Sequence, residues 1–225
     1  MIKAEHKNWA RFIFNIYIDK LLKNNFISYY LLNSYPAINK NLSIILTPNH
    51  ISWWDGFFVD YIIKNSSNRK MYIMMLEEQL KQFWFFKKLG AYSINPGSGS
   101  SLLTTVKYTR ELVKNPENVA VIYPQGTIEP FEKRPLTIKK GLKLFIENMP
   151  NEIAVIPVAF KIQYFNEKKP AVIARFGKIL NAETICSDYQ SYITEFYRNL
   201  DELNKAVFEN KFQNDLFKKT NHYEF

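Results

Sequence analysis

Leu42-Ser43-Ile44-Ile45-Leu46-Thr47-Pro48-Asn49-His50-Ile51-Ser52-Trp53-Trp54-Asp55 is the stretch on which the reading of the chain turns. Leu42–Leu46 is short, rich in Ile and Leu, and stops at Thr47-Pro48, so it reads as a buried strand ended by proline. His50 follows just past the strand end, and Asp55 comes five positions later. On one continuous helix that separation leaves two side chains roughly 140° apart, so they would not meet; across a strand-to-helix turn they can. A carboxylate on one imidazole nitrogen fixes the tautomer and stabilises the imidazolium, leaving the other nitrogen free to take a proton from a hydroxyl. The same residues carry a second reading. Ser52-x-x-Asp55 has the form of a capping box with Asp in the Glu/Gln place, with Ser52 capping the next helix and His50 a loop histidine.

Outward from this stretch the chain alternates. Strand-like runs are Leu42–Leu46, Met71–Leu76, Ala91–Ile94, Val119–Tyr123, Ile153–Phe160 and Val172–Phe176, with Ile153–Phe160 broken by Pro157. Helical segments lie between them at Gly56–Lys64, Gln79–Lys88, Leu102–Lys114 and Lys139–Asn148. This pattern predicts an α/β domain with a central mixed sheet flanked by helices. His6–Leu32 has helical character, with Trp9, Phe12, Ile13 and Ile16 close to one stripe, so it can pack on the domain or lie in a membrane interface. Tyr189–Lys218 reads as a long polar helix or a helix pair. The expected organisation is an amphipathic helical segment over 1–35, an α/β domain over 36–180 and a C-terminal helical extension over 181–225.

Length and composition suit one domain with a sizeable core: 225 residues, 47% hydrophobic. A formal net charge of +9 favours anionic partners. Cys186 is the only cysteine, which excludes an intrachain disulfide; it reads as a small buried residue, and a reducing cytosolic setting fits it. No apolar stretch reaches the length that spans a bilayer, and Asp19, Lys20 and Lys23 interrupt what would be a signal peptide's apolar core. His6, His50 and His222 show no metal-ligand spacing, so no metal site is expected.

Three further segments line up behind Asn49–Asp55: Gly90-Ala91-Tyr92-Ser93-Ile94, Tyr123-Pro124-Gln125-Gly126-Thr127, and Val155-Ile156-Pro157-Val158. Their order and spacing, from about Leu42 to Phe176, resemble the lysophosphatidic acid acyltransferase family, the glycerolipid acyltransferases with a His-x-x-x-x-Asp signature. The resemblance implies transfer of a fatty acyl group from a coenzyme A or acyl-carrier-protein thioester, as co-substrate rather than bound cofactor, to a lipid hydroxyl. It implies His50 as general base and Asp55 as its orienting partner, without a covalent acyl-enzyme. It places Asn49, Gln125, Gly126 and Thr127 beside the substrate, with a backbone N–H near Gly126 as an oxyanion donor.

The departures bear on the acceptor. The family's third motif usually reads Phe-Pro-Glu-Gly-Thr-Arg; here the glutamate is Gln125 and the arginine is Ile128. The second motif's arginine place falls near Asn95-Pro96. Isoleucine cannot replace an arginine–phosphate contact. Either phosphate binding has moved, to the Asn95–Ser101 turn with Ser98 or to Lys133, Arg134, Lys139 and Lys140, or the acceptor is a phosphate-free hydroxylated or glycosylated lipid rather than a lysophospholipid-like one. As alternatives, Asn95–Ser101 is a loop with a serine cap, and the lysines are a solvated face.

Lys81-Gln82-Phe83-Trp84-Phe85-Phe86-Lys87-Lys88 sets four aromatics between lysines, a composition suited to the headgroup region of anionic lipid. Trp84, Phe85 and Phe86, with the N-terminal helix, are the expected contact with a membrane surface, held peripherally on its cytoplasmic face; core packing is the competing account of these aromatics. A non-catalytic lipid-binding protein is the alternative function, for which the His50–Asp55 pair has no chemical use. Basic charge and aromatics alone suggest nucleic acid, but no recognition motif accompanies them, so none is expected as a partner. No Gly-x-Ser-x-Gly elbow supports a hydrolase.

Overall fold

The computed structural model describes residues 1–149, 152–212 and 214–218. At its centre Ser43–Pro48 forms β2, buried along its whole length. It pairs in parallel with β5 (Asn118–Val121) on one side and β6 (Ile153–Gln163) on the other. A strand covered on both faces has no need of polar alternation, which is why this one reads as a plain apolar run. Ile44 and Leu46 enter one core with α1 (Asn8–Asn25) and α2 (Asp55–Ser66). Ile45 enters the opposite core with α4 (Gly99–Lys114), α5 (Leu142–Ile146), α6 (Ala182–Ser187) and α7 (Tyr189–Phe208). The result is a three-layer α/β domain.

Among the described residues the sheet has eight strands. The order is β1 (Tyr29–Leu31), β7 (Ala171–Phe176), β6, β2, β5, β3 (Lys70–Leu76), β4 (Ala91–Ile94), with β8 (Leu180–Asn181) pairing β6 off this path. It is mixed: β6 runs antiparallel to β7 and β8, and the remaining pairs are parallel. α3 (Glu77–Gln82) and a 3-10 helix (Trp84–Leu89) link β3 to β4.

The structure corrects several sequence expectations. The N-terminal helix ends at Asn25, and Tyr29–Leu31 is a strand at the sheet edge, where its Tyr pair suits a half-covered pleat. Gln79–Lys88 is two short helices, divided at Phe83, whose φ of −106° and ψ of 51° leave the helical region. Lys139–Asn148 narrows to α5, and the C-terminal helix stops at Phe208, before Asn210 takes a positive φ of 56°. His222 lies outside the described residues. Pro157 does not break its strand. It sits where the antiparallel partner of β6 changes from β8, opposite Val155, to β7, opposite Val158, so its missing N–H faces a gap, and its carbonyl accepts from the Gly177 N–H at 2.7 Å. Cys186 is partly exposed rather than buried, and its thiol is pushed up by desolvation and by Glu147, which keeps it from thiolate chemistry.

Gly90 turns the chain from the 3-10 helix into β4 with φ of 107°. A Cβ there would lie 2.1 Å from the Met71 carbonyl oxygen and 2.6 Å from His6 Nε2. The expected outcome for Gly90→Ala is a loss of about 2 kcal/mol or more, from backbone strain plus the clash, measured as a lower urea midpoint at unchanged slope. A midpoint equal to that of the parent protein contradicts it.

Candidate active site

The site forms where β2 ends. Thr47-Pro48 closes the strand, and Asn49 continues its ladder with backbone, its N–H donating to the Val158 carbonyl at 3.1 Å, and then with its side chain. Asn49 Oδ1 accepts from the Phe160 N–H at 2.7 Å, and Nδ2 donates to the Phe160 carbonyl at 2.9 Å. That side chain is buried, and both its oxygen and its nitrogen bond Phe160, so it faces β6. The chain then turns through His50–Trp54 into α2.

Asp55, the first residue of α2, has no solvent exposure. Its Oδ2 accepts from His50 Nδ1 at 2.7 Å, from the Ile51 N–H at 2.7 Å and from the Ser52 N–H at 2.9 Å; its Oδ1 accepts from Ser52 Oγ at 2.7 Å. Ser52 Oγ also accepts from the Trp54 N–H at 3.2 Å, although Ser52 is not the N-cap of α2. The two readings of this turn are therefore compatible: one carboxylate closes the turn and holds the imidazole. With Nδ1–H facing Asp55, the lone pair lies on Nε2, which meets no protein partner among the described residues. The Tyr123 ring stacks on His50 at 4.4 Å between centroids and 28° between planes, a face on which an imidazolium is favoured. Burial and the charge of Asp55 push the Tyr123 hydroxyl well up, so it stays protonated.

Gln125 lies beside this turn and is buried. Its Oε1 accepts from the His50 N–H at 2.6 Å, and its Nε2 donates to the His50 carbonyl and to Glu129 Oε2, each at 3.3 Å. Gly126 has a φ of 69°, and its N–H donates to the Tyr123 carbonyl at 3.1 Å. The N–H groups of Thr127 and Ile128 donate to no protein acceptor among the described residues, and both residues are exposed. Lys139 comes from a separate segment. Its N–H donates to the Pro124 carbonyl at 3.0 Å, its carbonyl accepts from Tyr189 Oη at 2.6 Å, and its Nζ is 2.9 Å from where a Cβ on Gly126 would stand. The structure thus brings His50, Asp55, Gln125, Gly126, Thr127 and Lys139 together. Lys140 is the next residue along, exposed.

Other candidates fall elsewhere. Ser98 caps α4, accepting from the Ser101 N–H at 3.4 Å. It follows β4, which lies three strands from β2, about 14 Å at ordinary strand spacing. Lys133 pairs with Glu129, and Arg134 pairs with Asp201 at 3.5 Å while lying against the Tyr197 and Phe131 rings, so neither is a free cation. Of the proposed surface aromatics, Trp84 is 55% exposed, whereas Phe85 and Phe86 are half-buried, Phe86 against Phe57 at 5.9 Å.

Glu129 is the residue that sequence reasoning missed. It is buried, and its carboxylate accepts from the Thr137 N–H at 2.9 Å, Thr137 Oγ1 at 2.8 Å, Gln125 Nε2 and Lys133 Nζ. The lysine contact, and then the Thr137 and Gln125 bonds, hold its pKa down to about 2 against the cost of burial. The one available signal was an acid four residues past Gln125 and four before Lys133.

A sequence model described as Acyltransferase matches residues 33–161, more than half of the chain. No curated protein sequence matches it. Among solved structures, the 1-acyl-sn-glycerophosphate (LPA) acyltransferase PlsC from Thermotoga maritima superposes with a TM-score of 0.56, at 13% identity, over 88% of this chain and 80% of that one. The likeness is one of fold, spanning the sheet and the helices that flank it, and the sequence match runs through the turn that carries His50 and Asp55. The chain belongs to the acyltransferase family.

Proposed function

We propose that the protein is a peripheral membrane O-acyltransferase that moves a fatty acyl group from an acyl-coenzyme A or acyl-carrier-protein thioester to a hydroxyl of a lipid acceptor. The observation that carries this is the 2.7 Å bond from His50 Nδ1 to a fully buried Asp55, which leaves Nε2 open as a base. His50 Nε2 takes the acceptor's hydroxyl proton as its oxygen attacks the thioester carbonyl. The negative charge moves to the carbonyl oxygen, within reach of donors such as the free N–H groups of Thr127 and Ile128. Collapse of the tetrahedral intermediate breaks the C–S bond, and the proton on Nε2 passes to the departing thiolate. Asp55 steadies the imidazolium throughout.

Support for a membrane surface comes from α1. Ala10, Phe14, Ile18 and Leu22 face the core, while Trp9, Phe12, Ile13, Ile16 and Tyr17 are exposed, Phe12 at 67%. Trp53, Phe83 and Trp84 continue this apolar face to within three residues of His50, and Ile13, Tyr17 and Trp53 line a groove with them. Lys88 lies between Trp9 and Trp84, 4.8 and 5.3 Å from their rings. Apolar side chains bordered by lysine suit an anionic headgroup layer. Among the described residues no helix is long and apolar enough to cross a membrane. For the acceptor, an exposed Lys139 laid over Gly126 favours an anionic headgroup over a phosphate-free one.

Three outcomes are expected. His50→Ala keeps the far-ultraviolet spectrum and lowers acceptor-dependent thiol release on the order of 10²- to 10⁴-fold, with acylated lipid identified by mass spectrometry; turnover at the parent rate removes His50 as base, and a parent protein inert with every thioester and acceptor points to the lipid-binding alternative. Phe12→Glu with Trp84→Ala abolishes sedimentation with phosphatidylglycerol-containing vesicles; full retention rejects this face. Lys139→Ala raises KM for a lysophospholipid by about tenfold, the loss of roughly 1.4 kcal/mol of headgroup contact, with kcat little changed; an unmoved KM argues for a phosphate-free acceptor.

A further inference from the structure

We propose that Glu129 is a positioning residue for His50, acting by fixing which end of the Gln125 side-chain amide faces the histidine's backbone. The inference rests on the acyltransferase reading for its kinetic test, though not for its spectroscopic one. His50 is held by its peptide groups as well as its ring. Its N–H donates to Gln125 Oε1 at 2.6 Å, and its carbonyl accepts from the Glu129 N–H at 2.9 Å and from Gln125 Nε2 at 3.3 Å. The amide serves both peptide groups only with oxygen toward the N–H and nitrogen toward the carbonyl. A primary amide turned by 180° would set its NH2 against the His50 N–H and break both contacts.

Glu129 imposes the same orientation from outside the turn. An ionised carboxylate only accepts, so the Gln125 nitrogen must face it, as it does at 3.3 Å. The carboxylate is immobile in turn, since Thr137 N, Thr137 Oγ1 and Lys133 Nζ take its remaining lone pairs. The chain of constraint runs from the Thr137 segment through Glu129 and Gln125 to the His50 backbone, while Asp55 holds the ring from the other side. The same contacts explain why position 125 is an amide. A carboxylate at 125 would face Glu129 in a buried space, where two like charges do not both stay ionised, and it would lose both donor contacts. Exchanging the two residues should therefore be far milder than either change alone. The carboxylate moved to position 125 would accept from the His50 N–H and from the amide moved to position 129, and the backbone N–H at position 129 would still hold the His50 carbonyl.

The test uses the full chain in four forms: parent, Glu129→Gln, Gln125→Glu, and the double exchange. The kinetic readout is acceptor-dependent thiol release. The second readout is the downfield proton resonance of His50 Nδ1–H against Asp55, which needs no turnover. The expected result is that each single variant lowers kcat by about tenfold or more, as a small displacement of the base does, with KM for acceptor unchanged, and shifts or broadens the resonance; the double exchange restores most of both. Should Glu129→Gln fail to fold, Thr137→Val, which removes one donor from the carboxylate, decides: a lower kcat at unmoved KM supports the proposal, and unchanged kcat overturns it. Parent-like kcat and resonance in Glu129→Gln, or losses in the double exchange equal to the summed single losses, also overturn it. If the parent protein shows no turnover while the resonance moves in the single variants and returns in the exchange, the positioning role stands and the acyltransferase reading fails.

Discussion

A carboxylate with no access to water governs this molecule. Asp55 is completely buried at the start of α2, and a buried charge is tolerated only where hydrogen bonds replace its hydration. Four donors do so, all within five residues of it: two backbone N–H groups, one hydroxyl and the imidazole. That requirement fixes the path of the chain between β2 and α2, because the Ile51 and Ser52 N–H groups must converge on one oxygen. It fixes the imidazole as well, since the same oxygen accepts from Nδ1. Structure and chemistry here are one interaction. Removing Asp55 would orphan four donors at once, so its loss would affect the turn as much as the imidazole.

The parallel strands around this turn end at different heights, and amide side chains finish what the backbone cannot. Asn49 supplies a donor and an acceptor to Phe160 just where the β2 ladder stops. Gln125 does the same for His50 beyond the end of β5. In each case a side-chain amide stands in for a peptide group and bonds one backbone N–H and one C=O; the His50 carbonyl has the Glu129 N–H as a second donor. The turn that carries His50 is thus stitched to both neighbours of β2, to β6 through Asn49 and to the segment after β5 through Gln125. Both amides are buried and turned toward backbone, which leaves the exposed atoms of Gly126, Thr127 and Lys139 as the polar edge of the candidate site.

The sequence made the centre of the fold legible and left its margins obscure, for physical reasons. β2 and β6 as far as Phe160 are buried on both faces, so their composition announces them without any partner in view. The His50–Asp55 pair was legible because a spacing of five cannot close on a helix and can close on a turn. Tyr29–Leu31 was not, because an edge strand of three residues following an apolar helix carries no period of its own; only its pairing with β7 makes it a strand. Leu180–Asn181 is shorter still. The aromatic run around Trp84 was visible as a cluster, but the break at Phe83 decides which rings point inward, and that break has no glycine or proline to mark it. Glu129 and Lys139 act through contacts with residues that the chain brings near only after folding, Glu129 with Thr137 and Lys139 with Gly126.

Relative to the acyltransferase motif that Tyr123–Ile128 resembles, a negative and a positive charge are missing together, at Gln125 and Ile128. Their joint absence is easier to understand than either alone. A carboxylate at 125 beside Glu129 would be a buried like-charge pair, whereas an amide there is neutral and satisfies both neighbours. Charge of each sign nevertheless remains close by, on different backbone. Glu129 holds a buried negative charge four residues on, stabilised by Lys133 and Thr137, and the Lys139 ammonium lies over Gly126 from a segment tied to Pro124 and Tyr189. A negative charge locked behind Gln125 and a positive one left exposed over Gly126 divide the labour by burial. The locked carboxylate can only support the scaffold, since all its lone pairs are engaged. The exposed ammonium is a charge beside the turn with the freedom to meet a ligand.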